Sequence, residues 1–429
     1  MKRFPRILLL VIMVTLAVGS CATDQTFTTD TPESVGLSTE RLDRIGNVVQ
    51  EYIDSDTIAG AVTLVARHGK IAHFEAFGMS DKEAARPMTT DAIFRICSMS
   101  KPITSLAVMM LYEEGKFLLS DPVSNYIPEF RNMTVLSSEV QDDGSVGTVR
   151  ARRQITIRHL LTHTSGLTYQ WNRQLGRMYY EAGVNHGMLQ DNGTIGESVK
   201  KLAGLPLLFE PGEAYEYSLG LDVLGYLVEV VSGMTLDEFF KERIFEPLGL
   251  NDTHFFLPEE KVSRLAALYR YSSSEGLTRF PETPVVEDAM IYSADYPYNG
   301  PQSYFSGGAG LCSTALDYAR FCQMMLNGGE LDGVRLISRK TVELMISDHV
   351  GDSDENTAFG YGFSIDGIKS QLHEIGSVGK YGWGGYYFTR FFIDPEEDLI
   401  GVFMAQLKPR GTVDLREKVY NVIYQSIID

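Results

Sequence analysis

Two groups of β-like runs stand at opposite ends of this chain. Residues 61–66 and 71–77 lie near the front, and residues 361–365, 386–393 and 399–406 near the back. A long stretch from about residue 120 to 330, mixing helices with Gly- and Pro-punctuated loops, separates them. The front strands flank Arg67-His68-Gly69-Lys70, which reads as a hairpin turn. Ahead of them, Leu42, Ile45, Val48, Val49 and Ile53 recur at helical spacing over residues 37–53, with Ser38 as the cap. Residues 102–114 form a strongly apolar helix, 221–232 and 236–244 are the clearest helices of the middle, and 413–427 ends the chain as an amphipathic helix. This order implies an α/β domain built from residues 36–114 and 335–429, split around a mainly helical domain over 115–334, with the active site between the two.

The remaining features bound the function. Apolar residues make up 44% and charged residues 22%, which fits a globular protein and excludes a disordered, collagen-like or polytopic membrane chain. The net charge of −18 repels phosphate backbones and argues against nucleic acid as a partner. Lys2, Arg3 and Arg6 precede an apolar run over residues 7–18, too short for a bilayer span of about 20 residues and suited to an export signal. Val18-Gly19-Ser20-Cys21 resembles a bacterial lipobox, in which Cys21 becomes the lipidated first residue. No Asp follows Cys21, so the expectation is an exported, periplasmic lipoprotein anchored in the outer membrane, with residues 21–35 as its tether. Loss of residues 1–20 removes three positive charges and moves the net charge from −18 to −21. Only Cys97, Cys312 and Cys322 then remain, without CxxC spacing, and are expected as buried small hydrophobes.

No GxSxG, HExxH, GxxxxGK[ST] or GxGxxG occurs, and the histidines lack metal-ligand spacing. His159, His163 and His254 are therefore expected to be structural, and neither metal nor cofactor is expected. Ser-x-x-Lys occurs at Ser98/Lys101, Ser198/Lys201 and Ser377/Lys380, where chance alone gives about two matches. Ser198 is expected on a solvated helix face and Ser377 in a loop between Gly376 and Gly379. Ser98 differs, because it stands at the first turn of the apolar helix with Lys101 one turn on, on the same face. A helix N-terminus favours a developing anion, and a lysine partly withdrawn from water accepts a proton more readily. That combination is an activated nucleophile.

Together with Tyr217-Ser218-Leu219, which precedes the helix over 221–232, Ser98-Met99-Ser100-Lys101 resembles the motifs of the serine β-lactamase and penicillin-binding-protein superfamily. The chain is most similar to its class C-like branch and, within that, to the family VIII carboxylesterases. His163-Thr164-Ser165-Gly166-Leu167, Pro247-Leu248-Gly249-Leu250 and Ser306-Gly307-Gly308-Ala309-Gly310-Leu311 agree, and the resemblance runs from about residue 36 to 406. It implies a β-lactamase/transpeptidase-like fold, an antiparallel sheet flanked by helices with a helical domain inserted. It also implies Ser98 as nucleophile, Lys101 and Tyr217 as proton carriers, and an oxyanion hole from the N–H groups of Ser98 and Tyr386. Such donors each contribute on the order of 3 kcal/mol.

Two departures point to the esterase branch. Leu219 stands where a β-lactamase has Asn, and Trp383-Gly384-Gly385 stands where it has Lys-Thr-Gly. Lys380 lies three residues before Trp383, so in a strand it faces the other side. Tyr169, Trp171, Trp383, Tyr386 and Tyr387 are expected as an aromatic wall for an apolar acyl or alcohol group, with Gly384 and Gly385 admitting substrate closely. The expected activity is serine hydrolysis of a small-molecule ester or amide through an acyl-enzyme on Ser98. A β-lactamase or D-alanyl-D-alanine peptidase of the same fold, and a non-catalytic lipid-tethered binding protein, are the alternatives.

Overall fold

The computed structural model describes residues 27–140, 146–287, 290–351, 358–368, 370, 374–410 and 412–429. The leader segment and Cys21 lie outside the described residues. Among the described residues no helix is long and apolar enough to cross a membrane.

One sheet ties the two ends of the chain together. Its strands are β1 (Thr28–Thr29), β2 (Gly60–Arg67), β3 (Lys70–Asp81), β4 (Ala358–Phe359), β5 (Ser364–Ile365), β6 (Tyr381–Gly384), β7 (Arg390–Asp394) and β8 (Leu399–Ala405). In space they run β1-β3-β2-β8-β7-β6-β5-β4, with Arg86–Pro87 pairing β3 off that path. Every pair along the path is antiparallel except β1 with β3. The seam between front and back is β2 with β8, from Ala61 opposite Ala405 to Arg67 opposite Leu399. The β2–β3 hairpin turns at His68 and Gly69, both at positive φ (53° and 72°), the handedness that matches strand twist.

β2 is buried along its whole length, and its side chains alternate between two cores. Val62, Leu64 and Ala66 enter the larger cluster, Ala61 and Val65 the smaller. Five helices place the site: α1 (Arg44–Asp54), α2 (Ser100–Glu113), α3 (Gly220–Ser232), α4 (Ala315–Leu326) and α5 (Leu415–Gln425). α1 and α5 cover the smaller core's face of the sheet, and α4 packs on β2, β7 and β8. Residues 100–111 of α2 are buried on every side, as an all-round apolar helix requires, and α2 packs against α3.

The structure departs from the sequence reading in four places. The helix expected over 37–53 breaks at Asp43, and Ser38 caps only its first piece, accepting from the Arg41 N–H. The supposed tether over 21–35 joins the fold from Phe27 on, because that ring is buried and Thr28–Thr29 extend the sheet beside Lys70 and Ile71. Residues 386–389 are not strand; the chain turns there, while Tyr381–Gly384, with two glycines of low β-propensity, pairs fully with β7. The stretch 115–334, expected as a mainly helical separate domain, also carries short hairpins such as Tyr269–Ser272 with Gly276–Arg279, and its last helix, α4, packs on the sheet.

Candidate active site

The turn that carries Ser98 is held from three sides. Short strand Phe94–Arg95 pairs with Cys312–Ser313, and the Ile96 N–H donates to Leu311 O at 3.0 Å. Cys97 then takes a left-handed φ of 44°, a conformation that costs a non-glycine residue roughly 1–3 kcal/mol. The Tyr318 hydroxyl donates to Met99 O at 2.8 Å, and the Leu311 N–H to Ser100 Oγ at 3.1 Å. Ser98 thus sits in a tight 3₁₀ turn just ahead of α2, not within its first α-turn. Its neighbours from Ile96 to Ser100 are buried, and Ser98 alone among them is partly exposed.

Lys101, in the first turn of α2, is fully buried. Its Nζ lies 3.3 Å from Ser98 Oγ and donates to the Tyr169 hydroxyl (3.0 Å) and Gly308 O (2.8 Å). Nζ also lies 4.7 Å from the Tyr217 ring centroid. Tyr217 thus packs beside Lys101, and its hydroxyl is buried without a hydrogen-bond partner. Tyr169, expected as part of a wall, does line the cavity and is also the tyrosine bonded to the lysine. Burial first, then the neighbouring Tyr217 and Asp222, holds its hydroxyl well above the ordinary tyrosine range, so it keeps its proton.

Aromatic rings fix this cluster. Trp171 stacks on Tyr169 at 4.2 Å, Tyr169 on Tyr217 at 5.5 Å, and Trp383 closes on Tyr217 at 5.6 Å. The His163 ring packs 4.7 Å from Tyr217 and its Nδ1 lies 3.1 Å from Ser218 Oγ. Burial, then the Lys101 charge, holds His163 well below the usual histidine range, so it braces the tyrosine loop as a neutral ring. His159 accepts the Thr156 N–H to cap a helix, and His254 lies 3.1 Å from Lys261 Nζ.

Ser98, Tyr169, Trp171, Tyr217 and Trp383 line a cavity of about 400 Å³. Trp171, 40% exposed, stands among its lining residues. Gly385 lies where any side chain would strike Ile96 O, so bare backbone lets the end of β6 approach the turn that carries Ser98. Tyr386 follows it into the cavity, its ring parallel to Tyr292 and the two hydroxyls 2.9 Å apart. Tyr387, expected in the wall, is fully buried beside Cys97 and is not among the lining residues. Cys97, Cys312 and Cys322 are buried and unpaired.

Lys380 faces away from Trp383, as alternation requires: it is 2.9 Å from Asp366 and lies over Phe392 and Tyr424. At the same end of the cavity are Arg390, paired with Glu417 at 3.0 Å, and Arg416, which stacks on Phe388 at 4.4 Å while its buried Nε has no partner. The sequence reading missed both arginines, which the pairing of β6 with β7 and the docking of α5 bring to the cavity. It also misplaced Ser198, which is buried and accepts the Asn185 N–H at 2.9 Å. Only Lys201 of that pair is exposed. Ser377 does lie in a loop, its N–H donating to Asp394 at 3.2 Å.

Comparison with known proteins fits this arrangement. The Beta-lactamase family model matches residues 45–423. Esterase EstB of Burkholderia gladioli is 32% identical over 391 residues, covering 88% of this chain and 94% of its own. A putative D-alanyl-D-alanine carboxypeptidase of Escherichia coli K12 is 27% identical over 419 residues, covering 92% and 88%. Among solved structures, EstCE1, a hydrolase with promiscuous acyltransferase activity, superposes with a TM-score of 0.79 at 30% identity, covering 90% of this chain and 99% of its own.

Proposed function

The chain belongs to the β-lactamase family and is a serine hydrolase, and we propose that it cleaves carboxylic esters through a covalent acyl-enzyme on Ser98. The observation that carries this reading is the 3.3 Å contact between Ser98 Oγ and the buried Lys101 Nζ, set in a cavity walled by aromatic rings. Ser98 Oγ attacks the ester carbon and passes its proton to the free amine of Lys101, while the carbonyl electrons move onto oxygen. The Ser98 and Tyr386 N–H groups receive that oxyanion. The bond to the alcohol then breaks, and the proton returns through the tyrosine hydroxyls to the departing alkoxide. Water attacks the acyl group in turn, releases the acid and restores Ser98.

Trp383 and Gly384 bring no cation to the catalytic face of β6, which favours esters over β-lactams. Side-by-side assay of p-nitrophenyl butyrate and nitrocefin tests the choice. Ester turnover with little nitrocefin cleavage is expected; fast nitrocefin turnover without ester cleavage would reverse it in favour of the lactamase reading. A folded protein inert to both esters and fluorophosphonates would be a binding protein. We further propose export on residues 1–20 and lipid anchoring at Cys21. Labelled palmitate is expected to enter the wild-type protein and not Cys21→Ser.

A further inference from the structure

We propose that Asp222 is a positioning residue for Lys101, a buried carboxylate that braces the Gly307–Gly308 backbone against the lysine and supplies the negative charge its ammonium form faces. The proposal rests on the assignment of Ser98 and Lys101 as nucleophile and proton acceptor. Asp222 occupies the first turn of α3, 2% exposed, between Leu221 and Val223, which are both fully buried. A carboxylate in such a place costs several kcal/mol unless something compensates it. Its Oδ1 accepts the Ser306 hydroxyl at 2.6 Å, and Ser306 Oγ in turn accepts the Ala309 N–H at 3.0 Å. Its Oδ2 lies so close to Gly308 that a methyl group there would come within 2.5 Å of it, and within 3.5 Å of the Tyr169 hydroxyl.

The carbonyl of that same Gly308 accepts Lys101 Nζ at 2.8 Å. One glycine residue therefore links the carboxylate to the catalytic lysine. Its neighbour Gly307 is clamped in the same way: Thr104 of α2 donates to Gly307 O at 2.7 Å, and a methyl at Gly307 would stand 2.5 Å from Leu221 O of α3. The glycine run fills the gap between α2 and α3, where only bare backbone fits.

The other titratable groups facing this pair carry no opposing charge. Tyr169 and Tyr304 are held far above the tyrosine range by burial, Cys97 is pushed up to about 12, and His163 is held neutral. Tyr217 presents its ring to Lys101. Burial raises the Asp222 carboxyl, and the Ser306 hydroxyl followed by the Lys101 charge pulls it back. The carboxylate thus stands beside the ammonium that forms when Ser98 passes its proton to Lys101.

The test is the pH profile of kcat/KM for p-nitrophenyl butyrate, on the full chain, for wild type, Asp222→Asn and Ser306→Ala. Asp222→Asn removes the carboxylate charge and keeps the side chain's size. The acid limb of Asp222→Asn is expected to move to lower pH by about 1 unit. The plateau kcat is expected to fall roughly tenfold, with KM within about twofold of wild type. Ser306→Ala keeps the carboxylate but strips its hydrogen-bond donor, and its limb is expected to move the same way by less. A purely structural role would lower the amplitude and leave the limb in place. Unmoved limbs in both variants would overturn the proposal, and if Asp222→Asn does not fold, the Ser306→Ala limb decides it. Turnover surviving in Ser98→Ala would instead reject the underlying nucleophile assignment.

Discussion

Two Ser-x-x-Lys segments of this molecule share a spacing and nothing else. At Ser98/Lys101 the lysine is the buried partner: Tyr169 and Gly308 draw its ammonium nitrogen inward until it meets the serine at 3.3 Å. At Ser198/Lys201 the roles are exchanged. The serine is buried, its oxygen taken by the Asn185 N–H, and the lysine lies at the surface, donating to Gly183 O at 3.2 Å. Helical spacing puts both pairs within reach of each other. Only at Ser98/Lys101 does the rest of the fold draw the lysine inside and leave the hydroxyl open to a cavity.

The largest effects should separate the two pairs outright. Ser98→Ala and Lys101→Met are each expected to lower ester turnover at least about a thousandfold with the fold intact by circular dichroism. Lys201→Met should leave kcat/KM within about twofold, since its ammonium holds only a surface carbonyl. Equal losses from Lys101→Met and Lys201→Met would erase the distinction. The tyrosines sharpen it at the next level. Tyr217→Phe is expected to cost about a hundredfold in kcat, and Tyr169→Phe about tenfold, because Lys101 retains Ser98 and Gly308 as acceptors. The reverse order would make Tyr169 the proton carrier and Tyr217 a packing residue.

Smaller effects fall on stability. Ser198→Ala strands a buried N–H and should lower unfolding free energy by about 1–3 kcal/mol in denaturant titration, with turnover unchanged. The gentlest handle is acid. Burial holds His73, His159, His186 and His254 near 4, below their unfolded value, so the unfolded chain binds more protons between about pH 6.5 and 4. Their contribution is whole above pH 6.5 and is lost as pH falls toward 4. Asp317, raised to about 6 chiefly by burial, works in the opposite sense over part of that range. The net expectation is a Tm that declines between pH 6.5 and 4, measured by calorimetry, with a shallower decline in His73→Gln.

What the sequence made legible was local. The β-like run of β2, the His68-Gly69 turn and the strongly apolar α2 follow from short-range pattern, and Ser98 with Lys101 stood out because of that helix. Tyr217 and the Gly384-Gly385 approach came through resemblance. The bond from Lys101 to Gly308 spans 207 positions, and only the packing of α2, α3 and the glycine run creates it. The same holds for Asp222, which sequence shows merely as one acid in an apolar helix, and for Arg416, which α5 carries to the cavity. β6 escaped detection because two of its four residues are glycine, and its register with β7 supplies what propensity does not.

In the proposed mechanism the pair formed by Ser98 and the buried Lys101 is the reactive one. Fluorophosphonate labelling of the folded protein, followed by intact mass measurement and peptide mapping, tests it directly. A single adduct on Ser98, lost in Lys101→Met and kept in Lys201→Met, is the expected result. An adduct on any other residue, or ester turnover by a folded protein that takes no label, would contradict it.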